Sequence, residues 1–289
     1  MSAPRVLLVD GNVASIRAQY QAMLGYDTGT GYARALRRLE PDISCDVVYP
    51  ADAEAALPSG VGLESYDGVA ITGSALCISD GGPPVMRQID LIKVVFEAGV
   101  PLFGSCWGLQ VAVAAAGGVV RTNPRGREFG FARRVLLSPE GREHALFAGK
   151  PEVFEAPTVH RDDIETLPSG AEILATNDLG LQAAVFSFRR GTFWGVQYHP
   201  EYDYLDLSAV ARRYGTTLID SGLFSDVTGI DAFIADMRAL HEHPDDRPLL
   251  WKYGLGPAMR DERVRRAELQ NWLTAQVLPR RDRRNASPP

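Results

Sequence analysis

The sequence has 289 residues, 45% of them hydrophobic and 23% charged, which is typical of a globular protein with enough chain for one large core or two smaller ones. The formal charge is −6, from 30 Lys and Arg against 36 Asp and Glu, so no basic surface is available for a phosphate backbone and we expect no nucleic-acid partner. No apolar stretch reaches the length of a membrane span and no secretory signal is visible, so we expect no membrane partner either.

The first hundred residues alternate short apolar runs with helical segments. The apolar runs end at turn residues, and they predict buried parallel strands over 5–10, 45–49, 67–71 and 100–103. Apolar residues at three- and four-residue spacing predict helices over 32–39 and 85–98. This alternation predicts an α/β fold with an open, mostly parallel, doubly wound sheet that is covered by helices on both faces.

The pattern changes after Glu128. Antiparallel strands are predicted over 129–137, 181–188 and 191–198, the last two joined as a hairpin around Arg189-Arg190-Gly191. After Glu201 the helical spacing returns, over 205–223, 230–241 and 260–277. We therefore predict a main domain over 1–223 that includes an antiparallel β extension, a C-terminal helical extension over 224–278, and a disordered tail over 279–289.

Cys106 is flanked by glycines in a pattern typical of a nucleophile. It follows the predicted strand 101–103 and precedes an Ala- and Val-rich segment, 109–116, that should form a buried helix. Gly104 and Gly108 stand two residues before and after it, as a sharp strand-to-helix turn requires where backbone segments pass close together. The positive end of the helix macrodipole would favour the thiolate, so Cys106 is predicted to be a nucleophile.

The other two cysteines do not share this setting. Cys45 and Cys77 are expected to be small core residues, which is the usual fate of an isolated cysteine. An odd, sparse set of three cysteines favours a reducing cytoplasm over a disulfide scaffold, and their spacing offers no metal site.

A cysteine nucleophile needs a base that a third group orients. His199 follows an apolar strand, and Glu201, two residues later, could reach back to fix the tautomer of the imidazole. His144, His241 and His243 are expected to be structural because they adjoin a turn or a helix end. His160, in a Thr-Val-His-Arg-Asp-Asp run, remains an alternative base on chemical grounds alone.

Taken together, these features resemble the class I, triad-type glutamine amidotransferase family, and in particular the glutaminase domain of GMP synthetase. The resemblance spans about residues 6–223, in what is then an amidotransferase-like catalytic domain. It rests on five ordered blocks: Ile71-Thr-Gly-Ser74, Gly104-Ser-Cys-Trp-Gly-Leu-Gln110, Arg127-Glu-Phe-Gly-Phe-Ala132, His160-Arg-Asp-Asp163 and Gly195-Val-Gln-Tyr-His-Pro-Glu201.

The resemblance implies a mechanism and a set of site residues. Cys106 would attack a γ-glutamyl amide to give a γ-glutamyl thioester, with His199 as the proton carrier and Glu201 orienting it. The backbone N–H groups of Trp107 and of the Gly73-Ser74 turn would form the oxyanion hole. Further residues would hold or line the glutamyl group, namely Gln110, Glu128, Phe129, Gly130 and His160, the last not as the base. No cofactor is implied.

Three departures from the family pattern affect function. Thr72-Gly73-Ser74 stands where many relatives have Gly-Gly-Pro, and the bulky Trp107 adjoins the nucleophile, where its indole could either pack or contact substrate. No Gly-rich phosphate loop follows residue 223, so this chain could not make GMP by itself.

Three functions therefore remain. The first is a hydrolase of γ-glutamyl amides that acts alone on a small-molecule substrate. The second is a glutaminase subunit that delivers ammonia to a separate synthetase, and the third, which an intact triad disfavours, is a catalytically silent binding module. A related protease-like family places its histidine soon after the cysteine, whereas residues 107–143 contain none. The C-terminal helices also make a homo-oligomer plausible.

Overall fold

The computed structural model describes residues 2–286. The strands are Arg5–Val9 (β1), Ser44–Val48 (β2), Gly68–Ile71 (β3), Leu102–Ser105 (β4), Val119–Thr122 (β5), Glu128–Leu137 (β6), Val153–His160 (β7), Asp162–Thr166 (β8), Glu172–Asn177 (β9), Gly180–Phe188 (β10) and Gly191–Val196 (β11). The α-helices are Ala14–Leu24 (α1), Thr28–Leu39 (α2), Pro83–Ala98 (α3), Trp107–Ala115 (α4), Pro139–Glu143 (α5), Tyr204–Asp220 (α6), Val227–Glu242 (α7), Arg247–Tyr253 (α8), Pro257–Arg260 (α9), Glu262–Arg265 (α10), Ala267–Trp272 (α11) and Leu278–Ala286 (α12). Short 3-10 helices cover Leu63–Ser65, Ile78–Asp80 and Ala145–Phe147, and a π-helix covers Leu273–Val277.

The main sheet has the order β2-β1-β3-β4-β11-β10-β9-β6-β7. Its first five strands are parallel, and the other four continue it in antiparallel pairs. The predicted α/β fold with an antiparallel extension is confirmed, as is the hairpin between β10 and β11. Strand β11 was predicted only as a member of an antiparallel pair, but it also pairs in parallel with β4. It therefore joins the two halves of the sheet.

Helices cover both faces of the parallel strands. Val6 and Leu8 of β1 lie in one buried cluster with residues of α2, whereas Leu7 and Val9 lie in a second cluster with residues of α3 and α4. Successive side chains of a strand point to opposite faces, so a strand that is apolar at every position needs cover on both sides. The doubly wound arrangement follows from this pattern.

Helix α11 and the π-helix after it pack into the same core as the sheet. Trp272 is fully buried and belongs to the cluster that contains Val6 and Phe103. A Cβ atom on Gly68 of β3 would lie only 2.7 Å from the Trp272 ring, so strand and indole are in close contact. Helix α11 and the π-helix thus cover part of one sheet face, whereas residues of α7, α8 and α9 form a further cluster with α6 and Phe131.

Two predictions in this region are wrong. The single helix predicted over 260–277 is divided into α9, α10, α11 and the π-helix, because the Asp261 side chain accepts from the Arg263 amide and starts a new helix. The tail predicted to be disordered over 279–289 forms α12 up to residue 286, and residues 287–289 lie outside the described residues. Arg284 of α12 donates two hydrogen bonds of 2.9 Å to the buried carboxylate of Asp67, which fixes this segment on the domain.

A buried ion pair connects the C-terminal helices to the β extension. Lys150 Nζ lies 2.8 Å from Glu268 Oε1, and the two side chains are 1% and 0% exposed. The Tyr198 hydroxyl donates to the same carboxylate at 2.5 Å. Burial lowers the pKa of Lys150, since desolvation penalises the ammonium form, although the adjacent Glu268 opposes this. Through Tyr198, the pair thus holds the segment that follows β11 and leads directly to His199.

We expect Lys150→Met to destabilise the fold by about 3–5 kcal/mol, because it leaves the Glu268 carboxylate buried without a cation. The free energy of unfolding from denaturant titration measures this. Lys93→Met, which breaks an exposed pair with Asp90, is the matched control and should cost at most about 1 kcal/mol. Adding Glu268→Gln to Lys150→Met should recover part of the loss; equal stability of Lys150→Met and wild type would contradict the expectation.

Candidate active site

Cys106 occupies a sharp turn between β4 and α4. Its φ of 52° and ψ of −102° lie where residues with a Cβ atom are strained. A Cβ atom on Gly104 would lie 2.5 Å from the Gly108 carbonyl carbon, and one on Gly108 would lie 2.6 Å from the Ile71 carbonyl oxygen. The flanking glycines are therefore required by the close approach of the backbone, as the sequence pattern predicts. The thiol donates to the Val159 carbonyl at 3.4 Å and is 5% exposed.

His199 and Glu201 lie at the end of the neighbouring strand. The Cys106 amide donates to the Val196 carbonyl of β11 at 2.8 Å, so the turn that carries the thiol is bonded to the strand that leads to His199. His199 Nδ1 is 2.7 Å from Glu201 Oε1. His199 Nε2 is buried and has no hydrogen-bond partner within residues 2–286. One imidazole nitrogen is thus held by a carboxylate, and the ring also interacts with the Cys106 thiol.

The electrostatics of this group favour a charged imidazole. Burial alone would lower the pKa of His199, but the Glu201 carboxylate and the Cys106 thiol raise it to about 10. At neutral pH the arrangement therefore supports an imidazolium beside the sulfur, the state in which a thiolate is stabilised and a proton is available for a leaving group.

The loop after β3 borders the imidazole. A Cβ atom on Gly73 would lie 2.4 Å from His199 Cε1. The loop is held by Asn12, whose side-chain oxygen accepts from the Ala75 amide at 2.9 Å. Trp107 is the first residue of α4, so its N–H has no partner within the helix. Glycine at position 73 thus leaves room for the ring, and an unpaired amide lies next to the sulfur.

His160 is bound on both sides in a second buried cluster. Its Nε2 is 2.8 Å from Glu128 Oε2 and its Nδ1 is 3.0 Å from the Asp162 carbonyl. Asn177 and Gln182 also donate to the Glu128 carboxylate, at 2.6 and 3.1 Å. Because both ring nitrogens are engaged, His160 has no free nitrogen to accept a proton, unlike His199. Its position fits a wall of the site.

The remaining predicted site residues lie in several environments. The Gln110 side chain is buried and donates to the Asp162 carbonyl at 3.3 Å, next to the His160 cluster. Gly130 has a φ of 82°, which favours glycine for conformational reasons. The Phe129 ring packs against Phe224 and Phe233, at 5.8 and 5.5 Å between ring centroids, and so contacts the C-terminal helices.

The indole of Trp107 is a packing group. It is fully buried and donates to Gln88 Oε1 at 2.7 Å, and a Cβ atom on Gly11 would lie 2.6 Å from its ring. Of the two roles that the sequence left open for the indole, the structure shows packing.

Sequence reasoning missed the aromatic surroundings of His199. Tyr202 stacks on the imidazole with 4.1 Å between ring centroids and 6° between planes. A cavity of about 360 Å³ lies beyond it and is bordered by Glu201, Tyr202 and Asp206, although neither Cys106 nor His199 lines it. Burial and the adjacent Asp203 carboxylate raise the pKa of Asp206 to about 7. Only the position of Tyr202, directly after the His-Pro-Glu run, could have indicated its role.

An α/β sheet that presents a cysteine at a strand-to-helix turn, next to a histidine held by a carboxylate, is typical of enzymes that transfer an acyl group through sulfur. Comparison with known proteins identifies the family. The family described as glutamine amidotransferase class-I matches residues 26–206. The chain belongs to this family, as the sequence blocks predicted.

Individual relatives agree with this assignment. The chain is 30% identical over 285 residues to a γ-glutamyl-L-1-hydroxyisopropylamide hydrolase of Pseudomonas sp., covering 96% of this chain and 95% of that protein. It is 31% identical over 210 residues to the glutamine-hydrolysing GMP synthase of Nitrosomonas eutropha, covering 70% of this chain but only 38% of the synthase. A glutamine amidotransferase structure from Thermotoga maritima has the same fold, with a TM-score of 0.62 and 21% identity over 96% of this chain and 99% of that one.

Proposed function

We propose that the protein hydrolyses the amide bond of a γ-glutamyl amide through a γ-glutamyl thioester on Cys106. The observation that carries this is the strained turn that holds Cys106 next to His199, whose other nitrogen is 2.7 Å from Glu201. Family membership supports the γ-glutamyl group as the acyl part of the substrate.

The first half-reaction forms the thioester. The Cys106 thiolate attacks the amide carbonyl carbon and forms a C–S bond. The carbonyl oxygen becomes an oxyanion, which accepts hydrogen bonds from the N–H groups of Trp107 and the Gly73-Ser74 loop. The C–N bond then breaks, and the His199 imidazolium gives its proton to the leaving amine. Glu201 fixes the ring orientation and stabilises the cation.

The second half-reaction releases glutamate. The neutral imidazole of His199 takes a proton from water, and the hydroxide adds to the thioester carbonyl. The C–S bond breaks and the thiolate is restored. Gln110 and the cluster around Glu128 and His160 form the polar wall for the α-amino and α-carboxylate groups of the glutamyl part. No cofactor is required.

The share of each relative that the chain covers favours an enzyme that acts without a partner protein on a small-molecule substrate. The chain and the Pseudomonas hydrolase match over nearly their whole lengths, including the C-terminal helices, whereas the match covers 38% of the GMP synthase. The second candidate is an ammonia-delivering subunit of a separate synthetase, which the similarity to that synthase supports.

Among the described residues, no helix is long and apolar enough to cross a bilayer. Three free cysteines support a cytoplasmic location.

A substrate panel tests this function. The full chain alone should release glutamate from γ-glutamyl isopropylamide, γ-glutamyl anilide and γ-glutamylglycine at least about tenfold more efficiently than from glutamine, because contacts with the amine contribute to transition-state binding. Added hydroxylamine should divert part of the product to γ-glutamyl hydroxamate by capturing the thioester. An α-glutamyl amide is the matched control and should not react.

Other outcomes would change the assignment. A preference for glutamine over every substituted amide would favour a glutaminase. Absence of glutamate release from all of these compounds would contradict the hydrolase function.

A further inference from the structure

A small cavity next to His199 has an outer wall that the proposed mechanism does not use. The inner side of this cavity is formed by Gly73, Ser74 and His199. Its outer side is formed by Tyr20 of α1 and by Arg213 and Tyr214 of α6. Arg213 is the only arginine or lysine among the described residues that line the cavity.

The cavity lies on the amine side of the scissile bond. In the proposed reaction His199 must reach the leaving nitrogen in order to protonate it, so the amine must lie next to the imidazole. The predicted glutamyl wall, around Gln110, Glu128 and His160, lies elsewhere, and none of these residues lines this cavity. Groups across the cavity from His199 are therefore placed to contact the amine part of the substrate.

Arg213 is a cation without a counterion. Within residues 2–286 it forms no ion pair. Its guanidinium interacts with the Tyr20 hydroxyl, and its Nε atom is buried without a hydrogen-bond partner among the same residues. Its guanidinium carbon lies 3.9 Å from the Tyr214 ring centroid and 5.8 Å from that of Tyr20. Arg127, also without an ion pair in the described chain, lies 5.0 Å from the Tyr214 ring. Two positive charges without carboxylate partners thus meet at one tyrosine beside the cavity.

We propose that Arg213 is a specificity-determining residue that binds a carboxylate on the amine part of the substrate. The inference rests on the proposed hydrolase function and narrows it: the preferred substrates are γ-glutamyl amino acids, not γ-glutamyl alkylamides. A planar guanidinium binds a carboxylate with two parallel hydrogen bonds, and partial burial strengthens such a contact. An alkylamine would give Arg213 no carboxylate partner.

Entry of such an amine requires side chains of the outer wall to move. The cavity is only about 10 Å³, space for about one water molecule. Tyr20, Arg213 and Tyr214 bound it with side chains, which can rotate. Gly215, next to Tyr214, has a φ of 33° and interrupts α6, so this part of the wall is not backed by a continuous helix.

Two substrates that differ only in charge test the proposal. γ-Glutamylglycine and γ-glutamylglycinamide have the same length and the same glutamyl group, and only the first carries a carboxylate on the amine part. The wild-type enzyme should show a kcat/KM about tenfold or more higher for γ-glutamylglycine, as expected for a charge-assisted contact. Equal values, or a preference for the amide, would overturn the proposal while leaving the hydrolase function intact. If neither is hydrolysed but γ-glutamyl isopropylamide is, the proposal is overturned and the hydrolase function stands. If γ-glutamyl isopropylamide is not hydrolysed and the anilide also fails, both are overturned.

Arg213→Met should remove this preference. Its kcat/KM for γ-glutamylglycine should fall about ten- to hundredfold, while the value for γ-glutamylglycinamide stays within about threefold. Retained turnover of the amide shows that the variant is folded. Arg212→Met, at the exposed neighbouring position, is the matched control and should keep the wild-type ratio. Equal losses of kcat/KM on both substrates would mean that Arg213 does not bind the carboxylate and would overturn the proposal.

Discussion

Cys106→Ala is expected to lower kcat for γ-glutamyl amide hydrolysis by on the order of 10⁴-fold or more, because it removes the atom that forms the thioester. Glutamate release over hours, with hydroxylamine trapping in parallel, measures the loss. The fold should be retained, because alanine keeps the Cβ atom and removes only a sulfur that lies 3.4 Å from the Val159 carbonyl and beside His199. Unchanged thermal unfolding would confirm this.

The other cysteines provide the matched controls. Burial raises the pKa of both Cys45 and Cys77 to about 11, so their thiols are protonated at neutral pH and are poor nucleophiles. Cys45→Ala and Cys77→Ala should therefore leave kcat within about twofold of wild type. Retained turnover in Cys106→Ala would contradict the assigned nucleophile, as would loss of activity in Cys45→Ala without loss of folding.

Glu201→Gln is expected to lower kcat by on the order of 10²–10⁴-fold, because the amide can no longer stabilise the imidazolium or fix its tautomer. The pKa of His199, raised to about 10 in part by the Glu201 carboxylate, should also fall. Activity depends on a protonated imidazole, so it is lost as pH rises through this pKa. The alkaline limb of the kcat/KM profile should therefore move to lower pH in the variant.

The free energy of unfolding should also fall as pH rises. The folded-state pKa of His199 lies above the unfolded value of about 6.5, so its contribution to stability is fully present below that pH and is lost as pH rises through about 10. Glu201→Gln should flatten this dependence. Glu165→Gln, which removes an exposed partner of Arg121, is the control and should alter neither profile. An unchanged alkaline limb in Glu201→Gln would contradict the role of the carboxylate.

Local patterns were sufficient for most of the parallel half of the fold, although helix α1 was not predicted. Strands β1 to β4 and helices α2 to α4 were predicted because buried strands and amphipathic helices leave distinct apolar spacings. Strands β7, β8 and β9 were missed because they mix polar and apolar residues, as in the Thr158 to Asp163 run, where the polar groups are buried and paired with one another. The spacing of residues along the sequence does not reveal a polar group that becomes buried together with its hydrogen-bond partner.

The structure of the C-terminal segment was even less predictable from local sequence patterns. The tail over 279–289 has the composition of a disordered segment, yet Arg280 and Arg284 bind the Gly99 carbonyl and the Asp67 carboxylate. Those partners are 181 and 217 residues away in the chain, so composition carries no information about them. Likewise, only packing shows that Trp272 completes the core under β3.

The sequence by itself determined the turn that holds Cys106, the proposed nucleophile, because glycines on both sides of a residue at a strand-to-helix boundary are a local requirement of backbone geometry. It also determined the family, through five ordered blocks. The tertiary structure alone showed how the two candidate histidines differ. Pairing of β11 with β4 brings His199 to the sulfur with Nε2 unoccupied, whereas Glu128 and the Asp162 carbonyl engage both nitrogens of His160. Which nitrogen is free depends on contacts between distant strands, and these exist only once the chain has folded.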